Sequence, residues 1–154
     1  LGECADSAAR VVATEQKILS CAIGLDAGTA QFFFFFFSGG LGRERSVLPV
    51  SEISTTAPGD DAATWLAQQI RALGQPGDLA ILFATDLTSS QRGEIEAEIS
   101  SRQLQSLWLG SPYAQQVLGY EQADLETRLS LNHVCAATLC NLIDATLVGP
   151  MEES

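Results

Sequence analysis

The stretch Ile18–Phe37, ILSCAIGLDAGTAQFFFFFF, decides the fold, because it places one acidic residue between two strongly apolar segments. Its first part, Ile18–Leu25, predicts a buried strand. Aromatic residues favour pleated surfaces, and so apolar a run suggests burial on both faces, so Gln31–Phe37 predicts a second strand. A helix through six phenylalanines would be hydrophobic all round, which is rarer in a small domain. Asp26 then lies in the turn, either as a turn former or as a ligand aimed at something charged.

The composition is that of an ordinary globular domain, with 154 residues of which 46% are apolar and 18% charged. The net charge is −11, from 19 acidic and 8 basic residues. This excess of acid counts against independent, tight binding to DNA or RNA, and it fits a soluble protein or a subunit that meets a basic partner. No run reaches the length of a membrane span and no signal peptide is visible. We therefore expect an intracellular protein, in the cytoplasm or an organelle, without membrane contact.

The four cysteines give no metal-binding signature. Cys4, Cys21, Cys135 and Cys140 include no CxxC pair, which is the spacing that zinc knuckles use. Buried, reduced thiols are the expected state of all four.

The remaining pattern predicts alternating strands and helices. We expect a short helix or N-terminal extension within residues 3–16 and a third strand at Ser46–Ile53, which Pro49 interrupts near a sheet edge. A helix that ends before Gly74, a strand at Leu79–Ala84, a helix in 88–103 and a fifth strand in 106–112 should follow. The chain should then form a polar helical stretch through Tyr120 and Glu126 and a last helix at Val134–Val148. Three early strands followed by this alternation predict an α/β domain: a ribonuclease H-like mixed five-stranded sheet with helices on both faces. The expected organisation is an extension at 1–17, the domain at 18–150 and a tail at 151–154.

Two aspartates form the candidate site of this predicted fold. Its first and fourth strands would lie side by side, which would bring Asp26 and Asp86 together. Two such carboxylates can bind Mg²⁺ or Mn²⁺, which activate water for phosphodiester cleavage. The alternative is that Asp26 is a turn residue and Asp86 a loop or cap acid.

Three segments resemble the YqgF family, the Holliday-junction-resolvase-like proteins that include a bacterial nuclease of precursor ribosomal RNA. They are AIGLDAGTAQFFFFFFSGG at 22–40, FATDLTSSQ at 83–91 and LNHVCAATLCNLIDATL at 131–147. The resemblance implies a ribonuclease H-like fold and a nuclease that depends on Mg²⁺ or Mn²⁺.

The chain departs from the family at most acidic positions. The fifth strand of the family normally ends in Asp-Glu-Arg, whereas this chain has Leu109-Gly110-Ser111, and Asn132 stands at the degenerate position of the aspartate that opens the last helix. Asp26 survives, with Asp86 as a substitute partner. The resemblance therefore implies a pseudoenzyme with an eroded site and no cofactor. Its expected role is that of a non-catalytic subunit that joins protein partners in a nucleic-acid-processing assembly and meets nucleic acid only through that complex.

Several alternatives stay open at this point. The first is an active metal-dependent nuclease that uses Asp26 and Asp86, and a second is an actin-like nucleotide-binding fragment. His133 is either a capping or partly exposed polar residue, or a base or ligand. Cys135 would lie near a helix N-terminus, where the dipole activates a thiol, and its surroundings faintly resemble the nucleophile turn of thiolase-fold condensing enzymes. The Phe32–Phe37 run is core, or a partner surface if part of it is exposed.

Overall fold

The computed structural model describes residues 1–39, 45–110 and 123–149. Within these ranges four strands pair side by side, all parallel, in the order β2-β1-β3-β4. The strands are β1 (Ile18–Ile23), β2 (Val50–Thr55), β3 (Leu79–Phe83) and β4 (Gln105–Leu109). The predicted α/β class is confirmed, but the mixed five-stranded sheet of the ribonuclease H type is wrong.

The phenylalanine run forms a helix and not the predicted second strand. A short 3-10 turn at Gly24–Asp26 leads into α2 (Ala27–Gly39), which packs on β1 and β2. Since β1 and β2 are parallel, the chain between them has to cross over the sheet, and a helix is the usual crossover. Phe33 and Phe37, one turn apart, are fully buried, whereas Phe35 is 70% exposed.

The other helices complete two layers around the sheet. They are α1 (Gly2–Ala13), α3 (Asp60–Leu73), α4 (Ser89–Ser101) and α5 (Leu125–Val148). One core cluster joins α1, α2 and α5 to one face of the sheet, and a second cluster joins α3 and α4 to the other face. Helices therefore cover both faces, as the sequence predicted.

Strand burial follows strand position. Every residue of β1 and β3 is buried, as expected for parallel strands with helices on both faces. The edge strand β2 has one fully buried residue, Ile53, and begins directly after Pro49, whose carbonyl accepts the N–H of Ile18. The predicted third strand at Ser46–Ile53 therefore exists with a shifted start, because the strand follows the proline.

Helix α5 is longer than predicted, because it begins at Leu125 and not at Val134. The Asp124 carboxylate caps it by accepting the N–H of Thr127 at 2.8 Å, and this bond lowers the pKa of Asp124. By length and apolar composition alone α5 could cross a membrane, but its buried residues pack against α1 and α2 as part of the core. The polar stretch predicted through Tyr120 lies mainly outside the described residues.

Candidate functional site

The candidate site lies where β1 and β3 end, at the carboxyl edge of the sheet. These two strands are neighbours, but the helices that follow them, α2 and α4, pack on opposite faces. The loops that leave the strands therefore diverge and open a crevice between them. In open parallel α/β sheets this switch point is where small ligands bind.

A buried aspartate holds the two loops together. Asp26, 2% exposed, accepts the backbone N–H of Thr85 at 2.6 Å and the Thr85 hydroxyl at 2.9 Å. The Nδ2 of Asn132 on α5 donates to Asp26 at 2.9 Å and to the Thr85 hydroxyl at 2.7 Å. Three donors thus stabilise the carboxylate in a place that water does not reach.

Gly110 makes room for this network at the end of β4. A Cβ atom there would lie 2.2 Å from the Asn132 Nδ2, and the φ of +83° is in the left-handed region. Only glycine fits both conditions without strain. The Oδ1 of Asn132 is buried and has no hydrogen-bond partner among the described residues.

The crevice itself has a volume of about 600 Å³. The segments that line it follow three different strands: Ile23–Gly28 in part, the loop around Thr56–Gly59, and the stretch from Asp86 to Gln91. Asp86 is exposed and presents its carboxylate at this wall. The crevice therefore offers one acid near the N-terminus of α4.

The N-terminus of α4 is built as a capping box. The Thr88 hydroxyl oxygen accepts the N–H of Gln91 at 3.2 Å, and the Gln91 side chain accepts the N–H of Thr88 at 3.0 Å. Gln91 also donates to the Asp60 carboxylate at 2.9 Å, which ties α4 to the start of α3. The remaining amides of the first turn have no partner within the helix. This helix end lies beside the crevice, which Thr88 and Gln91 line.

A larger groove lies elsewhere. It has a volume of about 730 Å³ and is lined by α1, by the first residues of β4 and by the end of α5. Gln105 and Ser106 mark it as lying toward the amino end of the strands. Ligands of open parallel sheets bind at the opposite edge, so the smaller crevice is the candidate site.

The two predicted site aspartates have different surroundings, since Asp26 is buried and Asp86 is exposed. Asp26 and Asn132 come together with Thr85, whereas Asp86 lies at the crevice, and no hydrogen bond among the described residues links it to Asp26. A shared Mg²⁺ or Mn²⁺ site at Asp26 and Asp86 stays a prediction. In the described ranges no three His, Cys, Asp or Glu side chains group as metal ligands.

The other candidate residues lie away from the crevice. The ring of His133 contacts the ring of Phe32, with 3.9 Å between centroids. Cys135 is buried well inside α5, so its predicted position near a helix N-terminus, on which its role as a nucleophile rested, is wrong. Sequence reasoning missed Thr85, although a polar residue directly after a buried strand was a usable signal.

Comparisons with known proteins give a consistent result. A phosphoheptose isomerase of Chromohalobacter salexigens is 30% identical over 90% of this chain and 79% of its own length. One from Alteromonas mediterranea is 31% identical over 85% and 75%. The solved structure of a phosphoheptose isomerase from Francisella tularensis superposes with a TM-score of 0.70 at 19% identity, over 91% of this chain and 82% of that one. No family model matches the sequence.

The fold and the crevice define an open parallel α/β protein with a crevice at its switch point, where such proteins bind small ligands. The chain is 30% identical to the Chromohalobacter salexigens relative and covers 79% of its length, which is enough to assign a family. The chain belongs to the phosphoheptose isomerase family.

This result overturns the resemblance to the YqgF family. The matched segments were short, and the apolar run in the first of them is a helix here, whereas that resemblance required a strand. A nuclease, a nuclease-derived pseudoenzyme in a nucleic-acid-processing assembly and an actin-like fragment are all wrong as functions, because the relatives are sugar-phosphate isomerases.

Proposed function

We propose that this protein binds a phosphorylated sugar of the heptose class in the crevice between the ends of β1 and β3 and isomerises it. The observation that carries the proposal is a crevice at the switch point of a chain 30% identical to a phosphoheptose isomerase over most of both lengths. An isomerase of this kind shifts the carbonyl group between neighbouring carbons of an open-chain sugar phosphate.

The N-terminus of α4 supports binding of the phosphoryl group. Free amides and the positive end of the helix dipole suit an anion at this position. The Thr88 oxygen accepts the Gln91 N–H, which leaves its O–H to donate, and the hydroxyls of Ser89 and Ser90 are exposed beside it. Hydroxyl and amide donors together can bind phosphate oxygens without a metal ion.

Asp86 is the residue that suits the acid–base step. The reaction needs a base that removes a proton from the carbon beside the carbonyl while the carbonyl oxygen gains a proton, which gives an enediol. The proton then returns to the former carbonyl carbon while the other hydroxyl loses its proton, which forms the new carbonyl group. Asp86 presents an exposed carboxylate at the crevice wall, whereas the oxygens of Asp26 are engaged by Thr85 and Asn132. His133, the one histidine of the sequence, packs on Phe32 and does not line the crevice.

The first prediction concerns Asp86. We expect Asp86→Asn to lower kcat for isomerisation of a ketoheptose phosphate by about 10²-fold or more, because an amide cannot accept the proton. Carbon-bound proton exchange with solvent deuterium, followed by NMR, measures the step directly.

Asp61→Asn is the matched control, since Asp61 is an equally exposed acid on α3 that does not line the crevice. It should leave kcat unchanged. Absence of both turnover and proton exchange in the wild type would contradict the proposed isomerisation, and equal activity of Asp86→Asn and wild type would contradict the role of Asp86.

We further propose that the protein works inside the cell. Its four cysteines form no disulfide with one another, and three of them are buried. Reduced thiols persist in compartments that keep glutathione reduced. The phosphorylated sugar of the proposed reaction is a metabolite of the same kind of compartment.

A further inference from the structure

Arg128 lies closer to the proposed site than its position in the sequence suggests. On the first turns of α5, its Nη1 donates to the carbonyl oxygen of Thr85 at 3.2 Å. Thr85 directly precedes Asp86, which lines the crevice. The guanidinium is half-buried, and its Nε is buried without a hydrogen-bond partner among the described residues.

The other described cations lie elsewhere or are engaged. Lys17, Arg45 and Arg71 form ion pairs with Asp78, Asp144 and Glu98, respectively. Arg92 pairs with Glu96 and lies over the ring of Trp108. Arg10 lines the groove at the amino end of the strands, and Arg102 bonds to the Gly74 carbonyl beyond the end of α4.

The charge of the molecule favours a cation at the site of the phosphoryl group. A phosphate ester carries close to two negative charges at neutral pH, and it approaches a protein with a net charge of −11. The crevice adds Asp86, and Asp60 lies one contact away on Gln91. Helix amides alone leave this repulsion uncompensated, whereas a guanidinium binds two phosphate oxygens at once.

We infer that Arg128 is an anion-binding residue and contacts the phosphoryl group of the sugar phosphate. The inference rests on the proposed function. Asn132, one helical turn further along α5, fixes the Asp26–Thr85 network on which the Arg128 guanidinium docks. Binding of the ester therefore joins three parts of the fold: the loop after β3, the N-terminus of α4 and the first turns of α5.

The experiment compares a ketoheptose phosphate with the unphosphorylated ketoheptose by titration calorimetry. In the wild type the phosphorylated sugar should bind more tightly. We expect Arg128→Gln to weaken binding of the phosphate ester about tenfold or more and to leave the weak binding of the free sugar unchanged. Arg128→Lys should restore part of the loss, since it keeps the charge but not the two-point contact.

Arg102→Gln is the matched control. Like Arg128, Arg102 donates to a backbone carbonyl and has a buried Nε without a partner, but it lies at the opposite edge of the sheet. The affinity of this variant for the phosphate ester should stay within about twofold of wild type, since Arg102 lies far from the crevice. Thermal melts of all variants establish that they are folded.

The outcomes separate the inference from the proposed function. If the wild type prefers the phosphate ester and Arg128→Gln retains that preference, the inference is wrong and the proposed function stands. Equal losses for both sugars would assign Arg128 a structural role and also overturn the inference. A wild type that binds no phosphorylated sugar would overturn the proposed function and the inference together.

Discussion

Asp26 is a buried carboxylate whose charge is stabilised by hydrogen bonds from Thr85 and Asn132. Hydrogen bonds to a charged group contribute more than neutral ones, and a lost partner leaves the other groups desolvated. Asp26 therefore connects the end of β1 to the end of β3 through hydrogen bonds. Its role in the site is to position Thr85, next to the crevice.

The second prediction tests this role. Asp26→Asn should lower the free energy of unfolding by about 2 to 4 kcal/mol, because an amide NH₂ would face donors that now meet a carboxylate oxygen. Urea denaturation measures the change. Asp86→Asn, an equivalent change at an exposed acid, should stay within about 0.5 kcal/mol of wild type, and a similar loss in both variants would contradict the structural role of Asp26.

At the scale of elements, a buried ion pair joins the region after α2 to α5. The Nε of Arg45 donates to the Asp144 carboxylate at 2.8 Å, and both side chains are almost fully buried. Arg45 also donates to the carbonyl oxygens of Phe37 and Ser38 at the end of α2. The Arg45 guanidinium therefore donates hydrogen bonds to the last carbonyl groups of α2 and to the carboxylate of Asp144 on α5.

The third prediction concerns this pair. Asp144→Asn should cost about 3 to 5 kcal/mol of unfolding free energy, because it leaves the Arg45 charge buried without its partner. The comparison is Glu96→Gln in the pair with Arg92, where Glu96 is 45% exposed and the cost should be below about 1 kcal/mol. Chemical denaturation measures both losses of unfolding free energy. Equal losses in the two variants would mean that burial does not strengthen the Arg45–Asp144 pair.

Two of the strands were predicted correctly from the sequence, but the helix that connects β1 to β2 and makes them parallel was not. Ile18–Leu25 and Leu79–Ala84 were recognised because parallel strands with covered faces are continuously apolar. The same rule misassigned the phenylalanine run, since an apolar run lacks a period that distinguishes a buried helix from a buried strand. With that helix taken as a strand, the sheet gained a member and its first pairing became antiparallel.

The candidate site was predicted only in part for a related reason. Asp26 and Asn132 were singled out, and they do meet. Arg128 was missed because it bonds to the backbone carbonyl of Thr85, and residue type does not reveal such a contact. Thr85 was missed although its hydroxyl and its N–H both bond to Asp26, because a threonine after a strand does not by itself indicate its partner. Their position became visible only once the order of the strands was known.

At the scale of the whole molecule, the cysteines report on global opening. Cys21 lies in β1, and Cys135 and Cys140 lie in α5, all buried, whereas Cys4 on α1 is half-buried. Burial raises the pKa of Cys21 and raises that of Cys140 to about 12, so their reactive thiolate forms are scarce in the native state.

The fourth prediction is the labelling pattern that follows. With a thiol reagent such as DTNB at pH 8, one cysteine per chain should react readily and three slowly, and Cys4→Ser should remove the ready phase. Denaturant should release the remaining three together, since they belong to one cooperative core. Prompt reaction of more than one thiol in Cys4→Ser would mean that the sheet or α5 opens locally.

The parallel sheet also governs how the chain emerges from a ribosome. Neither neighbour of β1 is joined to it by a hairpin, because β2 follows after a helix and β3 only after residue 78. A nascent chain therefore exposes its six phenylalanines before any strand can pair with β1. Such exposed apolar segments favour aggregation until both neighbours of β1 have been translated.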